Sequence, residues 1–415
     1  MAKFAIAHGT GRETLARIAD GLVVAIAISL PWSTSATSVL AVLWVFALLP
    51  TVRWADLRQE LVTPAGGLPV LLVVLGLLGM LWADVTLFER WKGFDSFAKL
   101  LAIPLLLLQF RRSERGHWVF GAYLFSCGVL LAATTIVMTV LPSGFRILHF
   151  DDVLVKNAAT QSGEFVTCIF GLLYLLGGAI DKRRWLWVLG MGAIIFGMLA
   201  NILYVSTGRT ALVVALVLLV VFAIRHLRPK NIVLVFLGIA LLGAIGWSSS
   251  PYLRSRAGVI GTEIQKYEAD NVRTSSGERI EFWKKSLEFT KEAPLIGHGT
   301  GSIRALFEKS SKGQTGAAGV AAANPHNQTL AVAIQLGFVG VVALWAMWIT
   351  HILLFRSDGL ADWVGLVIVV QNIGGSLFNS HLFDFVQGWV YVVGVGVAGG
   401  MTTHFVRKSG SRSQI

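Results

Sequence analysis

The sequence predicts an all-α polytopic membrane protein with about twelve transmembrane helices, and three observations support that prediction. Hydrophobic residues make up 55% of the 415 residues and charged residues only 14%, whereas soluble domains carry about 25% charged residues. The mean hydropathy is +0.69. Long apolar runs recur, each able to cross about 30 Å of hydrocarbon, and they are continuous rather than alternating, which favours helices over barrel strands.

The apolar runs divide the chain into twelve predicted spans. The first begins near Ile18, after a polar and basic segment without a cleavable signal-peptide pattern, and it ends at Pro31. The fourth span is short and contains Pro104. We place the spans at about 18–32, 36–52, 68–83, 97–110, 117–141, 161–180, 185–205, 209–225, 230–248, 326–355, 360–378 and 384–406.

The distribution of lysine and arginine predicts the orientation of these spans. With the N-terminus inside, the inside segments hold eighteen basic residues and the short outside loops hold six, while eleven more fall in residues 249–325. An excess of basic residues in short inside loops is typical of cytoplasmic segments, so we expect both termini in the cytoplasm. Much of the formal charge of +12 is then a consequence of topology, which argues against a nucleic-acid partner.

The resulting organisation has four parts, one of which is a large outer loop. Within that loop, residues 275–289 predict an amphipathic helix that Ser275 or Ser276 caps and Pro294 stops. The Gly/Ala/Ser-rich stretch 310–323 predicts an irregular loop. The parts are spans one to nine in 1–248, the outer loop in 249–325, spans ten to twelve in 326–406, and a cytoplasmic tail in 407–415.

His326 and Asn327 stand at the entrance of the tenth span, in the run PHNQTLAVAIQLGFVG. Pro325 pre-sets a first helical turn, so we expect the helix to begin there, with His326 at the outer membrane boundary. Gly337 and Gly340 lie three residues apart, which predicts close packing of a neighbouring helix. A histidine in this place is a candidate general base for a lipid-borne substrate. The simpler interpretation is an interfacial histidine that hydrogen-bonds to the backbone.

Two arginines are candidate ligands for an anion. Arg209 is the single cation of a tight outer hairpin, residues 204–210, at a helix N-terminus where the helix dipole disfavours positive charge. A bound anion would explain it, because an arginine and free backbone N–H groups form a phosphate site. The alternative is an arginine that snorkels to the interface. Arg279 lies near the start of the outer amphipathic helix. Because several of its neighbours are also basic, the alternative interpretation is that Arg279 belongs to a solvent-exposed basic face of that helix.

Acidic residues are scarce in the chain as a whole, and those in the outer segments form no cluster with the spacing of a divalent-metal site. Asp151 and Asp152 are a weak candidate for a metal contact, and we expect no bound metal and no cofactor. The run 378–385, which includes Asp384, predicts a polar turn or, alternatively, part of the same outer cavity as His326. The motifs of nucleotide-binding loops and of serine hydrolases are absent, which argues against nucleotide-driven pumping.

The four positions His326, Asn327, Gly337 and Gly340 match the pattern H-[NSQ]-x9-G-x2-[GTY] and so resemble the O-antigen ligase family. The hairpin before the eighth span is similar to the family's Ser-x-x-Arg element between two spans. The run 279–302 resembles the stretch that opens the large periplasmic loop of this superfamily. The resemblance covers most of residues 185–400 and implies a helical fold similar to GT-C-type glycosyltransferases with a large helical periplasmic loop.

The resemblance also implies an activity. Such ligases transfer a polysaccharide from undecaprenyl pyrophosphate to a sugar hydroxyl of lipid A-core, on the periplasmic face of the bacterial inner membrane, without metal or nucleotide. Carried over by position, His326 is expected to be the general base, and Arg209 and Arg279 are expected to hold the donor pyrophosphate. A single displacement by the acceptor would invert the anomeric carbon. Possible supporting residues are Asn327, Tyr204, Ser206 and Asp384.

Two other classes of function remain open. O-antigen polymerases and O-linked protein oligosaccharyltransferases are relatives that use the same donor, although the intact motif favours a ligase and we expect no extra C-terminal domain after the last span. A transporter of an anionic lipid or solute is the more distant alternative. It would be expected to show ionisable residues near the bilayer midplane and inverted halves, whereas the polar groups here concentrate at the outer face.

Overall fold

The computed structural model describes residues 2–140, 155–206, 208–228, 230–233, 236–237, 240, 248 and 251–412. Every regular element within these ranges is helical, which confirms the predicted all-α polytopic class. The helices are α1 (Ala2–Ser29), α2 (Thr34–Leu48), α3 (Trp54–Val62), α4 (Pro64–Gly79), α5 (Leu87–Ala98), α6 (Ala102–Phe110), α7 (Gly116–Val140), α8 (Ala158–Asp181), α9 (Trp185–Tyr204), α10 (Arg209–His226), α11 (Pro251–Asp270), α12 (Ser275–Glu292), α13 (Ile303–Ser311), α14 (Gln328–Leu354), α15 (Leu360–Ser376) and α16 (Phe385–Arg412).

The predicted spans correspond to these helices with differences at four places. Among the described residues, 8 helical stretches are long and apolar enough to cross a membrane, and they overlap predicted spans two, four to eight, ten and twelve. The fourth is not short as predicted, because its helical stretch begins at Leu87 and runs to Phe110. The third span is a bent pair, because α3 and α4 meet at 88°. The eleventh, α15, is an apolar helix of 17 residues, and α1 does not meet the same criteria. The ninth predicted span, 230–248, lies mostly outside the described residues.

The last helix, α16, forms the centre of the bundle and packs against α6 and α15. Small residues make this possible, because a Cβ at Gly394 would come within 2.1 Å of Ile368 and one at Gly396 within 2.4 Å of Leu106. In a lipid environment, helices associate through such close packing rather than through a hydrophobic driving force. Both cysteines, Cys127 and Cys168, are free and buried in this core.

The segment from α12 to the start of α14 is folded onto the bundle rather than separate from it. Thr274 caps α12 by accepting a hydrogen bond from Gly277 N at 3.0 Å, so the cap predicted at Ser275 or Ser276 was one or two residues late. The apolar face of α12 packs on α14, with α13 beside it. A second, smaller hydrophobic core results, comprising Phe282, Phe289, Ile303, Phe307, Ala322, Ala331 and Ile334. This second core holds α12 so that its polar face lies next to the N-terminal end of α14.

Gly337 interrupts α14, contrary to the expectation that it would receive a neighbouring helix. Its φ of 60° and ψ of −156° lie in a region that only glycine occupies readily. The loop 294–299 inserts its backbone at the break: His298 N donates to Ile334 O at 2.8 Å, and Phe338 N donates to Pro294 O at 2.8 Å. The break at Gly337 is therefore the place where backbone hydrogen bonds join the loop 294–299 to α14.

Substituting Gly337 with alanine is expected to lower the free energy of unfolding. A Cβ at this position would lie 2.4 Å from the carbonyl carbon of Leu295, and the backbone conformation alone costs an L-residue roughly 1–3 kcal/mol. The matched control is Gly190→Ala in α9, where a Cβ meets nothing within 4 Å. Thermal denaturation in detergent checks this prediction. We expect Gly337→Ala to lower the Tm relative to the wild type and Gly190→Ala not to lower it. Equal Tm values for the two variants would contradict the claim that α14 is interrupted at Gly337.

Candidate active site

His326 lies in a turn immediately before α14 and not on the helix itself. The helix begins two residues later than predicted because Asn327 caps it, its Oδ1 accepting from Leu330 N at 3.1 Å. His326 has a left-handed φ of 54°, a conformation that costs an ordinary L-residue about 1–2 kcal/mol. The side chain of Asn324 holds the turn, since its Oδ1 accepts from His326 N at 2.9 Å. The ring is half-buried and stacks on Phe282, with centroids 6.0 Å apart.

A chain of hydrogen bonds orients the His326 imidazole. Its Nδ1 lies 3.1 Å from Asn379 Oδ1, and Asn379 Nδ2 donates to Asp384 Oδ2 at 3.1 Å. Asn379 Oδ1 also accepts from Asn324 Nδ2 at 3.1 Å. Since the amide nitrogen of Asn379 is used toward the carboxylate, its oxygen faces the ring and Nδ1 must carry the proton. The other ring nitrogen, Nε2, has no hydrogen-bond partner among the described residues and keeps its lone pair available.

The surroundings of His326 favour its neutral form. Burial lowers the pKa of the imidazole, and the positive charge of Arg279 lowers it further, while the hydrogen bond to Asn379 opposes the shift. Burial raises the pKa of the Asp384 carboxyl, against the charge of Lys99. A neutral imidazole with a free Nε2 can accept a proton near neutral pH, which is the requirement for a general base.

His326 opens into a cavity of about 240 Å³ between the N-terminal ends of α8, α10 and α16 and the C-terminal end of α15. Arg279, on α12, lines the same cavity. The wall near His326 is polar, whereas α10 contributes Ala211 and Val214. The lining residues are Asn157, Ala159, Thr160, Gly163, Val166, Thr210, Ala211, Val214, Arg279, His326, Gln371, Phe378, Asn379, His381, Asp384 and Gln387.

Arg209 lies beside Arg279 at the edge of this cavity rather than in its lining. It is the first residue of α10, as predicted, and its Nη1 is 3.5 Å from Glu263 Oε2. Glu263 is also engaged by Ser276, whose Oγ donates to it at 2.5 Å. Arg279 is half-buried and makes no ion pair within the described ranges. Burial lowers the pKa of the Arg279 guanidinium, and the charge of Arg209 lowers it further, so the two cations leave positive charge at this edge.

The proposed supporting residues separate into two groups. Asp384 belongs to the hydrogen-bond chain at His326, and Asn327 holds the turn, with its Nδ2 donating to Leu377 O at 3.2 Å. Ser206 is fully buried and bonds to Ser162 and Asn201, so it shapes the hairpin before α10. Tyr204 is 79% exposed and does not line the cavity.

Several cavity residues were not singled out individually in the sequence. Asn379 lies in the polar run 378–385, and the alternative that this run lines the cavity of His326 agrees with its position in the structure. His381 is buried, and burial lowers its pKa to about 4, so this second imidazole adds no charge. Gln371 and Gln387 sit within apolar helices, where a single polar residue every few turns is the only signal.

Within the described ranges, no group of three or more His, Cys, Asp or Glu side chains is arranged to hold a metal ion. Asp151 and Asp152, the weak metal candidate, lie outside the described residues.

Comparison with known proteins relates part of the chain to a described family. Residues 193–345 match a family model described as O-antigen ligase, a range that runs from α9 into α14 and contains Arg209, Arg279 and His326. The match confirms the resemblance carried by the motif. The chain is also similar to an uncharacterized protein of Haemophilus influenzae, with 26% identity over 193 residues, or 46% of this chain and 48% of that protein. The alignment thus spans about half the length of this curated relative.

Proposed function

We propose that this protein is an O-antigen ligase, which transfers a polysaccharide from undecaprenyl pyrophosphate to a sugar hydroxyl of lipid A-core. The observation that supports the proposal is the cavity that His326 and Arg279 both line, where Asn379 orients the imidazole through Nδ1 and the Arg279 guanidinium makes no ion pair among the described residues. We place the reaction at the periplasmic face of the bacterial inner membrane, with both termini in the cytoplasm.

The first step assigned to this chain is proton removal. The acceptor hydroxyl attacks the anomeric carbon of the donor while His326 Nε2 takes its proton. The imidazolium that forms is stabilised through Nδ1 by Asn379, which is in turn held by Asp384. Positioned general bases of this kind contribute typically about 10²–10⁴-fold to the rate. Asn379 is therefore a positioning residue, since it acts through the ring and not on the sugar.

The second assignment concerns the leaving group. As the new bond forms, the bond from the anomeric carbon to the phosphate oxygen breaks, and the electron pair leaves with the diphosphate. Arg279 and Arg209 would stabilise that growing negative charge, Arg279 from within the cavity and Arg209 from its edge. The N-terminal turn of α10 adds backbone N–H groups near the same place. Direct displacement in this way inverts the anomeric carbon.

The experiment that tests the function combines purified protein, undecaprenyl pyrophosphate-linked glycan and lipid A-core in the presence of a chelator. We expect glycan to appear on lipid A-core. Elongation of the lipid-linked glycan instead would identify an O-antigen polymerase, and transfer to an added peptide acceptor would identify a protein oligosaccharyltransferase. No transfer to any acceptor would overturn the assignment to this class of enzyme.

A further inference from the structure

Lys99 is a cation inside an otherwise apolar span, in the short turn Lys99–Leu101 between α5 and α6. Charged side chains are costly in a membrane helix, and those that occur there usually serve the function. The Nζ of Lys99 donates to two backbone oxygens, Phe383 O at 3.0 Å and Asp384 O at 2.8 Å. Lys99 therefore holds the run 378–385, which lies before α16 and more than 280 residues later in the chain.

The packing around this contact leaves room for the ammonium group. A Cβ at Gly388 of α16 would lie 2.7 Å from Lys99 Nζ and 2.5 Å from Leu382 O, so a glycine is required there. Phe97, at the end of α5, packs edge-on against Phe383, with ring centroids 4.7 Å apart. The end of α5 thus fixes the run 378–385 by apolar packing, and Lys99 fixes it by hydrogen bonds.

The run that Lys99 holds carries the side chains that orient His326. Asp384 N donates to Ser380 O at 2.8 Å, which closes a turn within the run. Asp384 Oδ2 accepts from Asn379 Nδ2 at 3.1 Å, and Asn379 Oδ1 lies 3.1 Å from Nδ1 of the imidazole. Lys99 is therefore connected to His326 through the backbone of Asp384, its carboxylate and the amide of Asn379.

The charge of Lys99 also acts on the Asp384 carboxyl. Burial raises the pKa of this carboxyl, and the positive charge of Lys99 is the largest of the influences that lower it. The ionised carboxylate acts in turn on His326, because burial and the charge of Arg279 lower the pKa of the imidazole and the negative charge of Asp384 opposes them. An ionised Asp384 therefore stabilises the imidazolium that forms when His326 takes a proton.

Other charged side chains surround Asp384. Lys156, before α8, lies close enough for its charge to interact with the carboxylate. A second polar cavity, which Asp384 also borders, is lined by the charged residues Glu89, Lys92 and Arg304. Among the described cations around Asp384, Lys99 is the one whose ammonium bonds to the backbone of the run 378–385.

We propose that Lys99 is a positioning residue for proton transfer at His326, which fixes the run 378–385 and keeps Asp384 ionised. The inference rests on the proposed function and adds to it a residue that sets the strength of the base. Lys99 lines neither of the two cavities that Asp384 borders. It therefore acts through Asp384 and Asn379 and not on the substrate.

Two substitutions separate the hydrogen bonds of Lys99 from its charge. Lys99→Gln keeps an N–H donor for the backbone oxygens without the charge, and Lys99→Met removes both. Without the charge, the pKa of Asp384 rises and its carboxyl becomes neutral at a higher pH. We expect the acid limb of the transfer rate to move to higher pH by about one unit in both variants, which is about a tenfold loss of rate on the acid side. Above this limb, Lys99→Gln should recover the wild-type kcat, and Lys99→Met should stay lower.

Lys92→Gln is the matched control, because it removes an equal charge from an exposed position of α5. Its acid limb should coincide with that of the wild type, and the KM for the donor should stay unchanged in Lys99→Gln. An acid limb of Lys99→Gln that stays in place or moves to lower pH would overturn the proposal. A loss of rate that is equal at every pH would also overturn it, because that result indicates a purely structural role.

A measurement without substrate separates this proposal from the proposed function. Infrared spectroscopy follows the C=O stretch of protonated carboxyls during a pH titration, and the band of Asp384 is identified by its loss in Asp384→Asn. We expect the band to appear at a higher pH in Lys99→Gln than in the wild type. Appearance at the same pH in both proteins overturns the proposal even where glycan is transferred. A shifted band in a protein that transfers no glycan supports the action of Lys99 on Asp384 and overturns the proposed function alone.

Discussion

Replacing His326 with asparagine is expected to lower glycan transfer by about 10²–10⁴-fold, the contribution of a positioned general base. Asparagine suits this test better than alanine, because His326 has a φ of 54° and asparagine enters the left-handed region more readily than most residues. The amide can keep the turn before α14 but cannot take a proton. Transfer is measured with lipid-linked glycan and lipid A-core, and binding of undecaprenyl pyrophosphate serves as the control.

In the asparagine variant, donor binding should stay within about twofold of the wild type, because the diphosphate is assigned to the arginines and a contact with a neutral ring contributes little. A protein that transfers glycan at a rate close to that of the wild type would exclude His326 as the base. A variant that loses donor binding together with transfer would instead indicate a role in substrate binding, and the general-base assignment would then fail.

Replacing Arg279 with methionine is expected to lower transfer by about 10²-fold or more, which is typical when one donor to a developing anion is removed. Arg279 is half-buried in the cavity and makes no ion pair among the described residues, so a bound diphosphate is the partner that would compensate its burial. Arg279→Lys should recover only part of the activity, because an ammonium group is a point charge and cannot form a bidentate contact.

The control for Arg279→Lys is Arg273→Lys. Arg273 is 65% exposed and pairs with Glu278 at 2.9 Å. Arg273→Lys therefore replaces an arginine next to α12 that does not line the cavity. We expect this control to transfer at the wild-type rate. Equal activity of Arg279→Lys and Arg273→Lys would argue that the guanidinium fork makes no diphosphate contact. Arg209→Lys should have a smaller effect than Arg279→Lys, since Arg209 lies at the edge of the cavity and already faces Glu263.

The helical class could be predicted from sequence, and Arg209 could be singled out as a candidate, because both signals are local, whereas the roles expected of His326 and Arg279 came from the family resemblance. Apolar runs indicate membrane helices wherever they fall, and Arg209 is conspicuous as a lone cation at a helix N-terminus. The predicted start of α14 is two residues too early. Pro325 suits the first turn of a helix and predicts a start at His326, but Asn327 can cap a helix and so predicts a start at Gln328. Asn327 forms that cap in the structure.

Contacts between distant segments could not be predicted in this way. Asn379 lies 53 residues from His326 in sequence, and although the polar run 378–385 was one candidate for the same cavity, neither local pattern indicates the hydrogen bond between these two side chains. The break at Gly337 depends on backbone groups of residues 294–299, about forty residues earlier in the chain. The spacing of Gly337 and Gly340 resembles a helix-packing motif. In the structure, however, the segment that packs at Gly337 is the loop 294–299 and not a helix.

The pH dependence of transfer in the wild type and in Arg279→Met tests the central claim most directly. His326 must be neutral to act as a base, so the rate should fall as the pH drops through the pKa of its imidazole. Burial and the charge of Arg279 lower that pKa, so the acid limb should lie below about 6.5, the ordinary histidine value. Removing the charge raises the pKa, and the limb of Arg279→Met should move to higher pH. An acid limb that stays in place in Arg279→Met would contradict the claim that the two side chains act in one cavity.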